Sequence, residues 1–418
     1  MNHNKATISE FGLIGTDENA KSANKFLSAN INKAQYEELE AFAKTDKGKD
    51  VLQFTGNGKY LQAKSYVGTI QTTSGFTLEI LPKTAKDKDS ETSKQIFMEL
   101  LRLLYKLPNY KKIDSANFEK LKNLDIFEIF ITMFLDEVRL IIKKGIKSDY
   151  IEQQDNLFYL KGKLLINEQI KQNTIHKERF FVQYDDYNQN RAENRLIKST
   201  LMLLSKLSKD FTNIRKIRQY MEHMNWVEMS QNIDNDIRQI KVGRGMEHYH
   251  NALIWAKVFL KKESFSSFSG DTIAFAILYP MEKLWECFIE WWLKKTYLHL
   301  QIEAQNGGFI FVQDACKKNL FTVRPDFLIK KEDKIICVAD AKWKLIESNN
   351  DFSQSDFYQL FAYKHIFLKE HIEENCELMS LKIYYPQTDY LKENKIFEYF
   401  KNEGQIKIIP LDLQKELI

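Results

Sequence analysis

Two short runs in the sequence place carboxylates and an ammonium at spacings suited to holding a divalent cation beside a phosphate: Arg324-Pro325-Asp326 and Asp340-Ala341-Lys342. Taking residues 321–344 as a hairpin that turns at 330–334, Asp340 and Lys342 share one face of its second strand, because side chains alternate along a strand. Proline lacks an N–H, so pairing on the first strand is interrupted where Asp326 projects. The two carboxylates and the ammonium can then meet at one point. Two hard oxygen ligands suit Mg²⁺, with Mn²⁺ as the alternative ion, since Mg²⁺ keeps several waters and accepts phosphate oxygens. Such an ion lowers the pKa of a bound water and neutralises charge on a phosphodiester, while Lys342 would orient the attacking water or stabilise charge in the transition state.

Asp-x-Lys by itself equally describes a surface ion pair. The surroundings argue for more. Cys337-Val338-Ala339 is apolar, and a buried charge needs a partner or a metal. Upstream, Leu284, Phe288 and Trp291/Trp292 form an apolar helical stripe. Glu282 and Glu286 lie one turn apart on another edge, and either can complete a metal shell. Downstream, Gln359 and Tyr363 form an i, i+4 pair that can reach the phosphate or the lysine together.

The elements that must position these residues are read from periodicity. Residues 281–298 form a helix, segments 309–312, 321–329 and 335–344 are strands, 356–369 is a helix, and 381–385 and 405–409 are strands, which together give an α/β/α arrangement. Further upstream, the first 45 or so residues are mixed and mostly polar. Residues 51–82 read as a β-rich unit with turns at Gly56-Asn57-Gly58 and Ser74-Gly75, in which Phe76, Leu78 and Ile80 alternate with Thr77 and Glu79. Helices are expected over 90–107 and 118–144, the second stopping at Gly145, then short strands around 157–160 and a long helical stretch over 193–262. The expected fold class is α+β multidomain. Its parts are an N-terminal region of β structure and helices (1–192), a helical connection (193–270) and a C-terminal domain that carries the candidate site residues (271–418).

Bulk properties set limits. With 418 residues, 44% of them hydrophobic, the chain can bury two or three cores. Its 61 basic side chains nearly balance 57 acidic ones, so a net charge of +4 permits nucleic-acid binding without arguing for it. No apolar run is long enough to span a membrane, and the N-terminus has no apolar core of a signal peptide. Cys287, Cys316, Cys337 and Cys376 are too widely spaced for a CxxC pair. They read as reduced thiols of a cytoplasmic protein, with an iron–sulfur cluster disfavoured. No Gly-x4-Gly-Lys-Ser/Thr nucleotide loop is present, and Thr55-Gly-Asn-Gly-Lys59 reads as a hairpin turn.

The order helix Glu, Pro-Asp, Asp-x-Lys, Gln-xxx-Tyr resembles the PD-(D/E)XK nuclease superfamily. More narrowly, the chain resembles the McrC family, nuclease subunits of McrBC-type modification-dependent restriction systems. The likeness rests on Phe275-Ala-Ile-Leu-Tyr-Pro-Met281-Glu-Lys-Leu-Trp-Glu286, Arg324-Pro-Asp-Phe, Val338-Ala-Asp-Ala-Lys-Trp-Lys344 and Asp356-Phe-Tyr-Gln-Leu-Phe-Ala-Tyr363. Upstream it includes Val67-Gly-Thr-Ile, Thr77-Leu-Glu-Ile-Leu-Pro-Lys83 and Glu193-Asn-Arg-Leu-Ile-Lys198, so it spans about residues 50 to 418. Tyr279-Pro280 and Trp285 depart from the family pattern at positions of packing.

The resemblance implies a restriction-endonuclease-like core of the PD-(D/E)XK kind in the C-terminal part. It implies that Glu286, Asp326 and Asp340 are metal-site acids, with Glu282 the second choice on the helix. Lys342 would be the catalytic lysine, and Gln359 and Tyr363 its support. It further implies an endonuclease that cuts modified double-stranded DNA and stimulates a McrB-like AAA+ GTPase ring, with GTP bound by that partner and two copies pairing for double-strand cleavage. Lys143, Lys144, Arg191 and Arg195 are candidates to reach the ring's nucleotide site as an arginine finger does. Two rival readings are a stand-alone repair or recombination nuclease and a catalytically silent adaptor that only activates the motor.

Overall fold

The computed structural model describes residues 4–17, 20, 25–83, 90–105, 125–241, 243–260, 273–304, 309–313, 319–332, 334–370, 380–399 and 405–417. The chain divides into two compact units, one built from Met1–Lys112 together with Phe268–Ile418, the other from Ile113–Ser267. Neither boundary coincides with the expected divisions after 192 and 270.

The first unit begins with β1 (Lys5–Ser9), β2 (Leu13–Gly15), β3 (Ala29–Asn30), α1 (Lys33–Ala43), α2 (Gly48–Val51), β4 (Leu52–Thr55), β5 (Tyr60–Ala63), β6 (Tyr66–Thr72), β7 (Thr77–Leu81) and α3 (Ser90–Leu104). Among the described residues, the polar-looking first 45 thus include the three strands β1–β3 and the helix α1. Their sparse apolar residues, including Ile8, Ile14, Leu39 and Phe42, share one core with Leu52, Leu61, Ile70, Leu78 and Ile80. A reciprocal cap starts α1: Asn32 Oδ1 accepts from the Gln35 amide at 2.9 Å, and Gln35 Oε1 accepts from the Asn32 amide at 3.2 Å. Between β4 and β5, Gly56, Asn57 and Gly58 have φ of 59°, 55° and 84°, left-handed values that Gly and Asn tolerate, which confirms a hairpin turn. Strand β7 is buried on both faces rather than on one. Its Glu79 is fully buried, and Lys5 at 3.2 Å, Lys94 at 3.3 Å and Thr7 Oγ1 at 3.1 Å compensate its charge.

The second unit opens with α4 (Ile126–Lys144), which ends at Gly145, φ 90°. The expected residues 118–124 of this helix, like 106–107 of the preceding one, lie outside the described residues. Strand β8 (Asp149–Leu157) is followed by β9 (Lys163–Leu164), α5 (Ile166–Asn173) and β10 (Phe180–Asn188). β10 pairs antiparallel with β8 along nine residues and with β9 on its other edge. The strand expected at 157–160 therefore lies earlier, and Phe158, Tyr159 and Leu160 fall in the exposed connection after it.

The expected long helix over 193–262 is broken into α6 (Ala192–Leu207), α7 (Phe211–His223), α8 (Ile233–Gln239) and α9 (His250–Leu260). Glu128 of α4 fixes the first break. Its carboxylate accepts from Ser208 Oγ at 2.8 Å, the Lys209 amide at 2.6 Å and Asn213 Nδ2 at 2.9 Å, which satisfies donors freed at the start of α7. The Glu193–Lys198 motif is a knot of internal bonds. Glu193 pairs with Arg191 at 3.1 Å, Arg195 with Asp236 at 2.6 Å, and Lys198 Nζ donates to Met224 O at 3.1 Å. Arg191 and Arg195, two of the expected ring-reaching candidates, are thus engaged inside the unit, whereas Lys143 and Lys144 are exposed at the end of α4.

The chain re-enters the first unit through β11 (Ile273–Pro280), which pairs antiparallel with β6. That pairing joins the two separate segments of the first unit, and strands so distant in sequence share no local pattern. Then come α10 (Met281–Thr296), β12 (Gln301–Ala304), β13 (Phe309–Gln313), β14 (Asn319–Val323), β15 (Phe327–Lys331), β16 (Lys334–Ala341), α11 (Gln354–Glu370), β17 (Ser380–Pro386), β18 (Lys395–Glu398), β19 (Gln405–Leu411) and α12 (Leu413–Leu417). A six-stranded sheet runs in the order β12-β15-β16-β17-β19-β18, parallel at its centre and antiparallel at its margins. On one face α11 buries Leu360 and Tyr363 against Leu328, Val338, Leu381 and Ile383. On the other, α10 brings Trp292 to 5.8 Å from Tyr384, ring to ring, and Trp285 Nε1 donates to Tyr384 O at 3.3 Å. The layers are helix, sheet, helix, with β16 central. Among the described residues no helix is long and apolar enough to cross a membrane.

Candidate active site

The site is built at the C-terminal end of β16, where strand pairing fails. The expected hairpin is present as β15–β16, but its first strand starts only at Phe327, opposite Ala339. No β15 residue stands opposite Ala341, and Arg324-Pro325-Asp326 separates β15 from β14. The Ala341 amide is instead taken by Asp326 Oδ2 at 2.8 Å. A side chain thus replaces the missing backbone acceptor, which fixes the Asp326 carboxylate beside β16.

Along β16 the alternation holds. Val338 and Asp340 face α11, and Lys342, just past the strand, reaches the same side. Its backbone amide continues the ladder to Tyr384 O at 2.9 Å. Its ammonium contacts Asp340 Oδ2 and donates to Gln359 Oε1 at 3.0 Å. Gln359 Nε2 donates to the Tyr363 hydroxyl at 2.6 Å, and that hydroxyl donates to Arg324 O at 2.9 Å. The bonds run from the lysine through α11 back to the loop that carries Asp326. The ammonium has two acceptors, Asp340 and Gln359, so the lysine's position is fixed by directed bonds.

Charge is unbalanced here. Asp340 is 2% exposed, and its Oδ1 has no hydrogen-bond partner among the described residues. Asp326 has its pKa pushed up to about 8 by burial and then by the Asp340 charge, with Glu286 adding and the Ala341 amide and Lys342 opposing. Burial works against the Lys342 ammonium, but Asp340 and, further off, Asp326 outweigh it, so its pKa stands above that of ordinary lysine. Burial raises the Tyr363 pKa, which keeps its phenol a donor. One cation is too few for these acids, and a divalent ion at Asp326 and Asp340 would supply the missing charge and a partner for Asp340 Oδ1.

Glu286 stands apart from that pair. Among the described residues no three His, Cys, Asp or Glu side chains come together as a metal-binding group. Glu286 is close enough to act on Asp326 electrostatically, but its carboxylate pairs with Lys283 at 3.2 Å. With exposed Glu282 it lines an open cleft of about 570 Å³ whose other walls include Asp326, Ala341, Lys342, Trp343 and Lys344. Of the three expected ligands, Asp326 and Asp340 lie beside the end of β16 and Glu286 lines the cleft wall.

A family model for McrBC 5-methylcytosine restriction system components matches residues 61–378. The chain belongs to this family. Its fold is similar to that of a chain in the refined half-complex of the tetradecameric assembly of Thermococcus gammatolerans McrB AAA+ hexamers with bound McrC. That match has a TM-score of 0.69 and 17% identity, and covers 99% of this chain and 98% of the other. A second match, in a cryo-EM structure of the Thermococcus gammatolerans McrBC complex, has a TM-score of 0.46 and 19% identity over 69% of this chain and 87% of that one. No curated protein matches the chain.

The span matched by the McrBC family contains all six expected site residues, Glu286, Asp326, Asp340, Lys342, Gln359 and Tyr363. The sequence reading missed three groups beside them. Asp356, in the first turn of α11, accepts from Lys344 Nζ at 2.7 Å and Tyr385 OH at 3.0 Å, pinning the helix to the strand ends. Its place three residues before Gln359 was the available signal. Glu10 and Lys83 both bond to Trp343. For Glu10 there was no signal, because it lies in the segment read as polar and outside the family match.

The Asp326 pKa predicts a stability profile for metal-free protein. An acid whose folded pKa exceeds its unfolded value favours folding while protonated and loses that contribution as pH rises. For Asp326 the loss runs from near its ordinary 3.8 to about 8. In EDTA, Asp326→Asn should raise the unfolding midpoint by about 2–4 °C near pH 8 and leave it unchanged near pH 4. Calorimetric scans at the two pH values check this.

Proposed function

We propose that this chain is the DNA-cutting subunit of a GTP-dependent, modification-dependent restriction complex: a PD-(D/E)XK endonuclease that hydrolyses phosphodiesters with Mg²⁺ and stimulates a separate AAA+ GTPase. The observation that carries the reading is the circuit from Asp340 through Lys342, Gln359 and Tyr363 to the Asp326 loop, with one buried carboxylate oxygen left unpartnered. Mg²⁺ held by Asp326 and Asp340 would offset phosphate charge and lower the pKa of a bound water. Lys342, kept charged by Asp340, presents an ammonium to the phosphate oxygens as negative charge grows there. Gln359 and Tyr363 keep it from swinging away, and Glu286 is placed to accept a hydrogen bond from a water in the cleft. In the reaction a P–O bond forms to water and the bond to the sugar oxygen breaks.

The second unit supports the partnered form over a stand-alone nuclease. Tyr150, Phe158, Tyr159, Leu160, Ile170 and Tyr187 are each 60–70% exposed on or beside its three-stranded sheet. Tyr150 and Tyr187 meet ring to ring at one end of that sheet and Phe158, Tyr159 and Leu160 follow its other end; exposed large apolar side chains of this kind favour a surface for another protein. The likeness to the Thermococcus assembly suggests that the partner is an AAA+ hexamer of the McrB kind, with the second unit as the docking part. The complete polar circuit speaks against a silent adaptor.

Reconstitution tests the reading. The chain, its AAA+ partner, GTP and Mg²⁺ should cut DNA bearing 5-methylcytosine and leave unmethylated DNA intact. Cutting by the chain alone without GTP would favour the stand-alone nuclease, and stimulated GTP hydrolysis without any cutting would favour the adaptor.

A further inference from the structure

The turn between β1 and β2 buries a carboxylate that the mechanism above does not use. Glu10 is fully buried, and its backbone is held from both sides, its own amide donating to Leu81 O at 2.9 Å and that of Phe11 to Ala63 O at 3.1 Å. Its carboxylate accepts from Trp343 Nε1 at 2.9 Å and 3.2 Å through its two oxygens, and from the Lys83 amide at 3.1 Å. The Lys83 ammonium donates to Trp343 O at 3.2 Å and sits 5.2 Å from the Trp343 ring. Trp343 is thus gripped at its indole and its carbonyl by two charged residues of the N-terminal strands.

Trp343 directly follows Lys342. Its ring lies 5.4 Å from that of Trp285, on the helix that carries Glu282 and Glu286. Trp285 Nε1 and the Lys342 amide both donate to Tyr384 O, at 3.3 Å and 2.9 Å. One residue therefore ties the end of β16, the Glu286 helix and the N-terminal strands together. Apolar packing in place of such buried polar groups is often neutral or stabilising, so a role in fixing one geometry accounts for them better than stability does. We propose that Glu10 and Lys83 are positioning residues of the catalytic cleft, holding Trp343 and through it the segment Asp340–Lys342. In this view the N-terminal strands belong to the nuclease site as well as to the fold.

This inference rests on the nuclease reading, and two readouts separate them. Glu10→Leu removes both acceptor oxygens at similar volume, and Trp343→Phe removes the indole donor while keeping a ring. In the reconstituted complex each should lower the kcat of cleavage about tenfold to a hundredfold, with KM for DNA and stimulation of the partner unchanged. The double variant should be no slower than the worse single one, because both cut the same link. Without any turnover, amide hydrogen exchange at Ala341 and Lys342 should quicken about tenfold or more in both variants, while exchange in β19 stays as in the parent. Unchanged exchange, rate losses that multiply, or losses matched by a fall in folded fraction would overturn the proposal. If exchange quickens but Asp340→Asn cuts as fast as the parent, the positioning stands and the nuclease reading falls.

Discussion

Lys342→Ala should reduce DNA cleavage by about a thousandfold or more while GTP hydrolysis by the partner continues at the parent rate. Among the described residues, Lys342 is the one basic side chain whose nitrogen both contacts Asp340 and is fixed from α11. Its loss removes a cation aimed at the reacting phosphate and leaves a carboxylate that is 2% exposed without its ion pair. The second effect destabilises the metal-free protein, so cleavage is measured at saturating Mg²⁺ with the folded fraction checked by circular dichroism. Gln359→Ala should be milder, about tenfold to a hundredfold, since the lysine keeps Asp340 but loses its hold on α11. The ordering is as informative as the size. A Gln359 variant worse than the Lys342 one would mean that the lysine is not the group that meets the phosphate.

The second large effect concerns the proposed docking surface. Phe158, Tyr159 and Leu160 are 66%, 60% and 61% exposed in the connection after β8. Replacing all three by Ser removes apolar area that the isolated chain does not bury, so stability should hardly change. At an interface such residues contribute about 1–2 kcal/mol each, so affinity for the GTPase should fall at least a hundredfold or so. Stimulated GTP hydrolysis and GTP-dependent cutting should be lost together. Titration of the variant against the partner, read by GTP turnover, checks this, and parent-like stimulation would place the docking surface elsewhere.

The site was more legible than the fold around it. Asp326, Asp340, Lys342, Gln359 and Tyr363 lie within 38 positions (326–363) of one another; alternation along a strand relates Asp340 to Lys342 and i, i+4 spacing relates Gln359 to Tyr363, while Asp326 sits in the break between β14 and β15. Glu286 lies on the expected helix, but its pairing with Lys283 depends on side-chain directions that spacing does not encode. The burial of Glu79 was hidden because β7 alternates like a half-exposed strand, while Lys5 and Lys94, from other elements, supply its partners. The break at Ser208 depends on Glu128, eighty residues earlier. The largest gap was the role of the first residues. Pairing of β11 with β6 and the Glu10–Trp343 bonds are contacts between segments far apart in the chain, which no window of sequence displays.

The most direct measurement is the number of double-strand breaks per GTP hydrolysed on 5-methylcytosine DNA, for complexes assembled with the parent chain or with Asp340→Asn. The substitution keeps the shape of a residue that is 2% exposed and removes only the charge that the metal and Lys342 require. GTP turnover should be equal in the two complexes, with breaks abundant for the parent and absent for the variant. Equal numbers of breaks per GTP from both would contradict a metal-dependent nuclease centre at Asp326, Asp340 and Lys342.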